Sequence, residues 1–232
     1  MKLAIMQPYF FPYIGYFQLI AAVDVFVVYD NIKYTKKGWI NRNRMLQNGK
    51  DVVFSLPLKN SSDSLDVCQR ELSTDFNRDK LLNQFKGTYR RAPYFAQTYP
   101  LIEQIVLHDD ANLFRFLRQA IVKVCLHLGI TTEVRISSDI AIDHELKNQD
   151  KVLAMCKAVG ASTYVNARGG AELYSKEMFR EKGIDLKFIQ SKPFQYAQFG
   201  DAFVPWLSII DLMMFNPLEA LQACISTNYE LI

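Results

Sequence analysis

Lys2-Leu-Ala-Ile-Met-Gln-Pro-Tyr-Phe-Phe-Pro-Tyr-Ile-Gly-Tyr16 is the stretch from which the fold can be read. Leu3 to Met6 is a short continuous apolar run, the pattern of a strand buried on both faces. Pro8 and Pro12 then stop the strand, because each fixes φ and removes a backbone donor. Beyond them Tyr13 to Ala22 has a helical pattern, and Val25-Phe-Val-Val-Tyr29 is a second buried strand ending at Asp30. Strand, turn, helix and strand make a compact βαβ unit, whose two parallel strands require a right-handed crossover. Gln7, Tyr9 and Asp30 would then leave the sheet at one rim, the carboxyl end, where ligands bind in open α/β sheets. Tyr9, Tyr13 and Tyr16 bring to that rim neutral hydroxyls on large apolar bodies.

Later segments repeat the alternation. Val52 to Leu58 reads as a strand, placed at an edge by Pro57, and Lys59 to Asp66 as a polar surface loop. Apolar spacing predicts helices over 74–90 and 93–107 and a longer one that Asp109 or Asp110 caps and that ends before Gly129. Glu133 to Ser138 is a strand, 148–159 a helix stopped by Gly160, and Ser162 to Asn166 the next strand. A helix over 171–182 and a last clear strand at 186–189 follow. This order predicts an α/β protein with a mainly parallel sheet, helices on both faces and a helical insertion around residues 74–128. No repeat or linker divides the chain, so residues 1–232 are expected to form a single domain.

Composition excludes several classes. The chain of 232 residues has 27 Lys and Arg against 24 Asp and Glu, a formal charge of +3, and no long basic run, so general nucleic-acid binding is not expected. Its apolar runs fall short of a membrane span, and two prolines split the one that follows Lys2, unlike a signal peptide. A cytoplasmic location is the expectation. Cys68, Cys125, Cys156 and Cys224 are scattered without a CxxC pair, and His108, His127 and His144 show no metal-ligand spacing. Buried thiols and no metal site are expected.

Four stretches carry candidate chemistry. Asn31 to Arg44 mixes Lys37, Trp39, Asn41, Arg42, Asn43 and Arg44: an indole to stack on, amides for hydroxyls and a fork for phosphate or carboxylate. A solvated β-hairpin explains the same composition equally well. Asn166-Ala-Arg-Gly-Gly170 joins a strand to the expected helix at 171, where free backbone N–H groups of Gly169 and Gly170 can face an anion; a plain tight turn is the alternative. Phe194 to Asp201 is an aromatic, Gln-rich loop suited to act as a flap. Pro205 to Phe215 reads as a helix apolar all round, so Asp211 inside it needs a partner or a ligand.

MQPYFFPYIGYFQLI from Met6, GWINRN from Gly38, YVNARGG from Tyr164 and VPWLSIIDLMMFN from Val204 together resemble the WbqC-like protein family of bacteria. The resemblance runs from the first residues to near the last and departs little at Arg168, where the motif often has an apolar residue. It implies work in clusters for O-antigen and other surface polysaccharides, and a transferase that puts an amino acid, glycine above all, on a sugar. Pro12-Tyr-Ile-Gly-Tyr16 also resembles the HxGH turn of nucleotidyltransferases, implying a doubly wound, HUP-like sheet and ATP as a cofactor. Both histidines are tyrosines here, so any charge for ATP would come from Lys37, Arg42 or Arg44.

The leading expectation is therefore a transferase that attaches an aminoacyl or acyl group to the amino group of a sugar nucleotide or lipid-linked sugar. Gln7, Tyr9, Tyr13, Tyr16, Lys37, Trp39, Asn41, Arg42, Asn43, Asn166, Gly169 and Gly170 would bind substrate. Asp30 or Asp211 would act as general base. The rivals are a non-catalytic sugar-nucleotide-binding or scaffold protein and an ATP-dependent adenylyl or nucleotidyl transferase. No residue pattern dictates an oligomeric state.

Overall fold

A computed structural model describes residues 1–200 and 202–232. The chain runs through β1 (Lys2–Met6), α1 (Ile14–Ala21), β2 (Val25–Val28), β3 (Arg42–Gln47), β4 (Lys50–Ser55), α2 (Arg78–Tyr89), α3 (Phe95–Val106) and α4 (Leu113–His127). It continues through β5 (Glu133–Ile136), α5 (Asn148–Val159), β6 (Thr163–Ala167), α6 (Lys176–Glu181), β7 (Asp185–Ser191), α7 (Ile209–Phe215), α8 (Leu218–Thr227) and β8 (Tyr229–Leu231). Among the described residues six strands form the central sheet in the order β5-β2-β1-β6-β7-β8. All neighbours are parallel except β7 and β8. Numbered by their place in the chain, these strands follow the order 3-2-1-4-5-6 of the doubly wound fold.

The continuous apolar strands are explained by cover on both faces. Ala4, Phe26, Val28, Val165 and Ile189 belong to one core with α1, α4, α7 and α8. Leu3, Ile5, Val25, Val27 and Leu186 face a second core, where α5 and α6 supply Val152, Met155, Cys156 and Phe179. Each fully buried Val, Leu, Ile, Met or Phe among them contributes roughly 1.5–3 kcal/mol. Cys125, Cys156 and Cys224 are buried thiols and Cys68 is half-buried.

Everything between β2 and β5 is an excursion from this sheet: the separate β3–β4 hairpin, then α2, α3 and α4. The hairpin turns at Asn48-Gly49, both at positive φ, the combination that suits a tight turn between twisted strands. The hairpin that was the alternative reading of Asn31 to Arg44 is thus present over its last part, where β3 buries Asn43, Met45 and Leu46 and leaves Arg42, Arg44 and Gln47 more exposed. α2 passes through Gly87 without a break, and α4 is capped by Asn112, whose side chain accepts from Arg115 N.

Two boundaries differ from the sequence reading in ways that matter for the site, those before α6 and before α7. A 3-10 turn over Arg168–Leu173 intervenes before α6, so Gly169 and Gly170 do not open an α-helix. Ser208 caps α7, leaving Pro205, Trp206 and Leu207 outside it. Asn216 donates from Nδ2 back to Leu212 O and closes α7, so Pro217 stands at the start of α8. Among the described residues no helix is long and apolar enough to cross a membrane.

Candidate functional site

The order of the sheet reverses between β1 and β6, and a cavity of about 390 Å³ opens at their carboxyl ends. Gln7, Tyr9, Tyr13 and Tyr16 come to it from the first turn, and Asn166, Gly169 and Gly170 from the exit of β6. Tyr29 and Tyr174 complete its aromatic wall; neither was singled out in the sequence. Asn166 is buried, with its Oδ1 accepting from Ala167 N at 2.7 Å. Its amide nitrogen lies where Gly170 leaves room, since a Cβ there would fall 3.0 Å away.

Phenols set the electrostatics. Burial pushes Tyr9, Tyr13, Tyr16 and Tyr174 above the ordinary phenol range, and partial burial with Tyr174 nearby pushes Tyr29 up to about 12. All are neutral donors at neutral pH. The Tyr16 hydroxyl is committed to Gln7 O at 2.9 Å. The Tyr9 hydroxyl makes no hydrogen bond within the chain among the described residues and remains free for a ligand.

A second cavity, about 250 Å³, adjoins the first across Tyr9 and Tyr13. Trp39 and Trp206 wall it, with Pro12, Asn43 and Arg44. These are the two tryptophans of the chain, 41% and 63% exposed, and they make a slot for a flat face. Trp206 packs edge-on against Tyr13, ring centroids 6.0 Å apart, with its backbone at φ +61°. A bulky residue in the left-handed region is strained, and surrounding bonds must hold it there. Arg44 does so, donating from Nη2 to Trp206 O at 3.1 Å while Nη1 pairs with Asp51, also at 3.1 Å.

Three of the sequence motifs are laced together behind this slot. Asn43 donates from Nδ2 to Phe10 O at 3.2 Å and Phe11 O at 2.9 Å. Phe11 is itself at φ +43°, and its carbonyl also accepts from Ser208 Oγ at 2.7 Å. Ser208 N donates to Arg44 O, and Ile209 N to Pro12 O. The opening turn, the GWINRN segment and the VPWLS segment therefore share one hydrogen-bonded seam, and the YVNARGG segment faces them across the first cavity.

The matched residues place this chain within a known group: the family model of the WbqC-like protein family covers residues 7–223. This chain is a WbqC-like protein. The uncharacterised protein Rv1507c of Mycobacterium tuberculosis (strain ATCC 25618 / H37Rv) is similar to it, 28% identical over 225 residues that span 94% of this chain and 95% of that protein. No solved structure matches.

Other expected site residues of this WbqC-like protein lie behind the walls. Asn41 donates to Leu56 O and accepts from Tyr34, each at 2.8 Å, so its amide is a fastener. Arg42 donates to Gly38 O at 2.9 Å and to Lys37 O, bracing the turn at Lys37. Lys37, Asn41 and Arg42 line none of the cavities described here.

The two carboxylates are likewise enclosed. Asp30 is 5% exposed and accepts from Ser137 Oγ, Ser138 N and Ser138 Oγ at 2.6, 3.0 and 2.8 Å, tying the exit of β2 to that of β5. Asp211 is fully buried and accepts from Tyr89, Tyr196 and Gln198 at 2.8, 2.7 and 2.9 Å. Burial raises its pKa, and these three donors oppose the rise. Gln198 also bonds the backbone of Val204 through both ends of its amide, so Asp211 anchors the described part of the expected flap. Asp201, the end of that flap, lies outside the described residues.

Proposed function

We propose that this WbqC-like protein is a transferase of bacterial surface polysaccharide biosynthesis that attaches an acyl or aminoacyl group to the amino group of a sugar carried on a nucleotide or lipid. The observation that carries this reading is the continuous rim formed by the switch-point cavity and the tryptophan slot, joined through Tyr9 and Tyr13. Its lining suits a polyhydroxyl ligand with one apolar face. The indoles stack a sugar ring or a base; Gln7, Tyr9 and Asn166 exchange hydrogen bonds with neutral hydroxyls.

In the transfer the sugar amine nitrogen forms a C–N bond with the acyl carbon of an activated donor such as a thioester or an acyl phosphate. The bond from that carbon to the leaving group breaks, the leaving group takes its electron pair, and the proton lost by the amine goes to it or to solvent. Among the described residues no carboxylate, imidazole or thiol lines the switch-point cavity or the slot, so catalysis rests on alignment and on neutral donors. The phenols of Tyr9 and Tyr13 stand where the cavities meet and can donate to the carbonyl oxygen as negative charge grows on it. Asp30 and Asp211 serve in this reading as fasteners of the rim rather than as bases.

With no carboxylate, imidazole or thiol among the described lining of the rim, one rival is a protein that binds and presents the sugar without reacting. Mass spectrometry separates the two. Purified protein supplied with amino-sugar nucleotides and a panel of acyl and aminoacyl donors, including ATP with free amino acids, should yield an N-acylated sugar. Thermal stabilisation by the sugar nucleotide with no product from any donor would leave the binding protein.

A further inference from the structure

Beyond the slot lies a third cavity, a cleft of about 310 Å³ between the segment after β7 and the approach to α7. Ile14, Phe194, Phe203, Leu207 and Leu212 make its wall predominantly apolar. Tyr13 and Trp206 divide it from the slot, so it opens directly beside the place where the acyl carbon would react. Its outer wall is fixed, because Tyr196 is held by Asp211 and the backbone of Val204 by Gln198. Lys192, whose ammonium pairs with Glu230 at 3.0 Å, is the one charged residue among its described lining.

This lining discriminates between donors. A glycyl group would bring an ammonium into an apolar space whose described charged neighbour is a lysine, and would leave most of the volume unfilled. Methylene groups would shed water against Phe194, Phe203 and Leu212 and gain from burial. We infer that the third cavity is an acyl-chain pocket, which selects a short apolar acyl group over a glycyl group. The inference rests on the acyl-transfer reading for what carries the chain; the preference of the pocket rests on its own walls.

Simple amides test the pocket without any turnover. Acetamide, butanamide, hexanamide and glycinamide are titrated into the intact protein and followed by ligand-observed NMR, with intermolecular contacts to the methyl groups of Ile14 and Leu212 locating the site. The expected result is affinity rising about fourfold per methylene, equivalent to ~0.8 kcal/mol, with glycinamide the weakest. Phe194→Asp should lower hexanamide affinity about tenfold or more while Phe194→Leu stays close to wild type. Glycinamide binding as well as hexanamide, chain-length independence, or hexanamide contacts lying elsewhere would overturn the inference; the last readout uses the unsubstituted protein and stands even if Phe194→Asp fails to fold. Hexanamide binding here with no transfer from any donor would overturn the transferase and keep the pocket. Glycyl transfer without hexanamide binding would do the reverse.

Discussion

The ring of Tyr13 lies across the α-carbon of Gly15: a Cβ at Gly15 would fall 2.3 Å from the phenolic oxygen of Tyr13. The glycine of the opening turn therefore makes room for a protein side chain, and that side chain is the wall common to all three cavities. Tyr13 is 36% exposed and can swing outward if displaced.

Gly15→Ala should consequently separate stability from binding. Alanine gains about 0.5–1 kcal/mol over glycine within a helix, offsetting the displacement of a ring that can move into solvent. The melting temperature is expected to stay level or rise slightly, whereas affinity for an amino-sugar nucleotide should fall about tenfold through loss of a packed aromatic wall. Thermal melts beside calorimetric titration check both halves.

Trp206→Gly makes the same separation by another route. Releasing a bulky residue from φ +61° recovers about 1–2 kcal/mol, against about 0.5–1 kcal/mol for the extra freedom of glycine when unfolded. The indole is 63% exposed, so little burial is lost. Denaturant unfolding should show unchanged or slightly greater stability in a protein that no longer binds the sugar nucleotide. A clear loss of stability would mean that Trp206 belongs to the core and not to a site.

Asn43 should behave as a fastener. Asn43→Asp removes both donations to Phe10 O and Phe11 O and sets a buried carboxylate oxygen against two carbonyls. The expected loss is about 3 kcal/mol or more, and that of Asn43→Ala about 2. Urea midpoints at unchanged slope measure it.

Much of this architecture was legible in the residues. Continuous apolar strands separated by helices predicted a mainly parallel sheet, and the two cores on its faces show why Val25 to Val28 needs no polar alternation. The first turn and the Asn166–Gly170 loop meet because both leave the sheet at the carboxyl end beside the point where its order reverses. Other parts were hidden for physical reasons. Arg42 to Gln47 could be read only as one of two alternatives, since its polar side chains suit a loop as well as a hairpin; the Asn48-Gly49 turn was the signal that decides for the hairpin. Tyr229–Leu231 is too short to announce itself and forms because β7 offers an unpaired edge. Trp206 read as helix because the apolar run reaches back to it, although Ser208 marked where the helix begins. Asp30 and Asp211 stood out as charges in need of partners because Ser137 and Tyr89 lie more than a hundred residues away in the chain, although Tyr196 and Gln198, the other partners of Asp211, are within fifteen.

Asp211 also sets a pH dependence. Its pKa is raised in the folded protein, chiefly by burial, so the folded state holds a proton in a range where the unfolded chain, at about 3.9, has released it. The stabilisation is complete below the unfolded value and is lost as pH rises through the folded one. Asp211→Asn cannot titrate and should flatten that part of the stability curve. At neutral pH the substitution should still lower stability by about 1–3 kcal/mol, because an amide nitrogen cannot accept from all of Tyr89, Tyr196 and Gln198. Unfolding of both proteins from pH 4 to 8 tests the difference, in which shifts shared by Asp110, Glu71 and Glu133 cancel.

The central claim, that a sugar nucleotide binds along the rim between Trp39 and Trp206, is tested most directly by tryptophan fluorescence during titration with an amino-sugar nucleotide. The chain has two tryptophans and both wall the slot, so the signal carries no background from elsewhere. A saturable change in emission is expected, with the same midpoint as calorimetry, reduced in Trp39→Phe and in Trp206→Phe and absent when both are replaced. Binding detected by calorimetry with no change in emission, or no binding at all, would contradict the account.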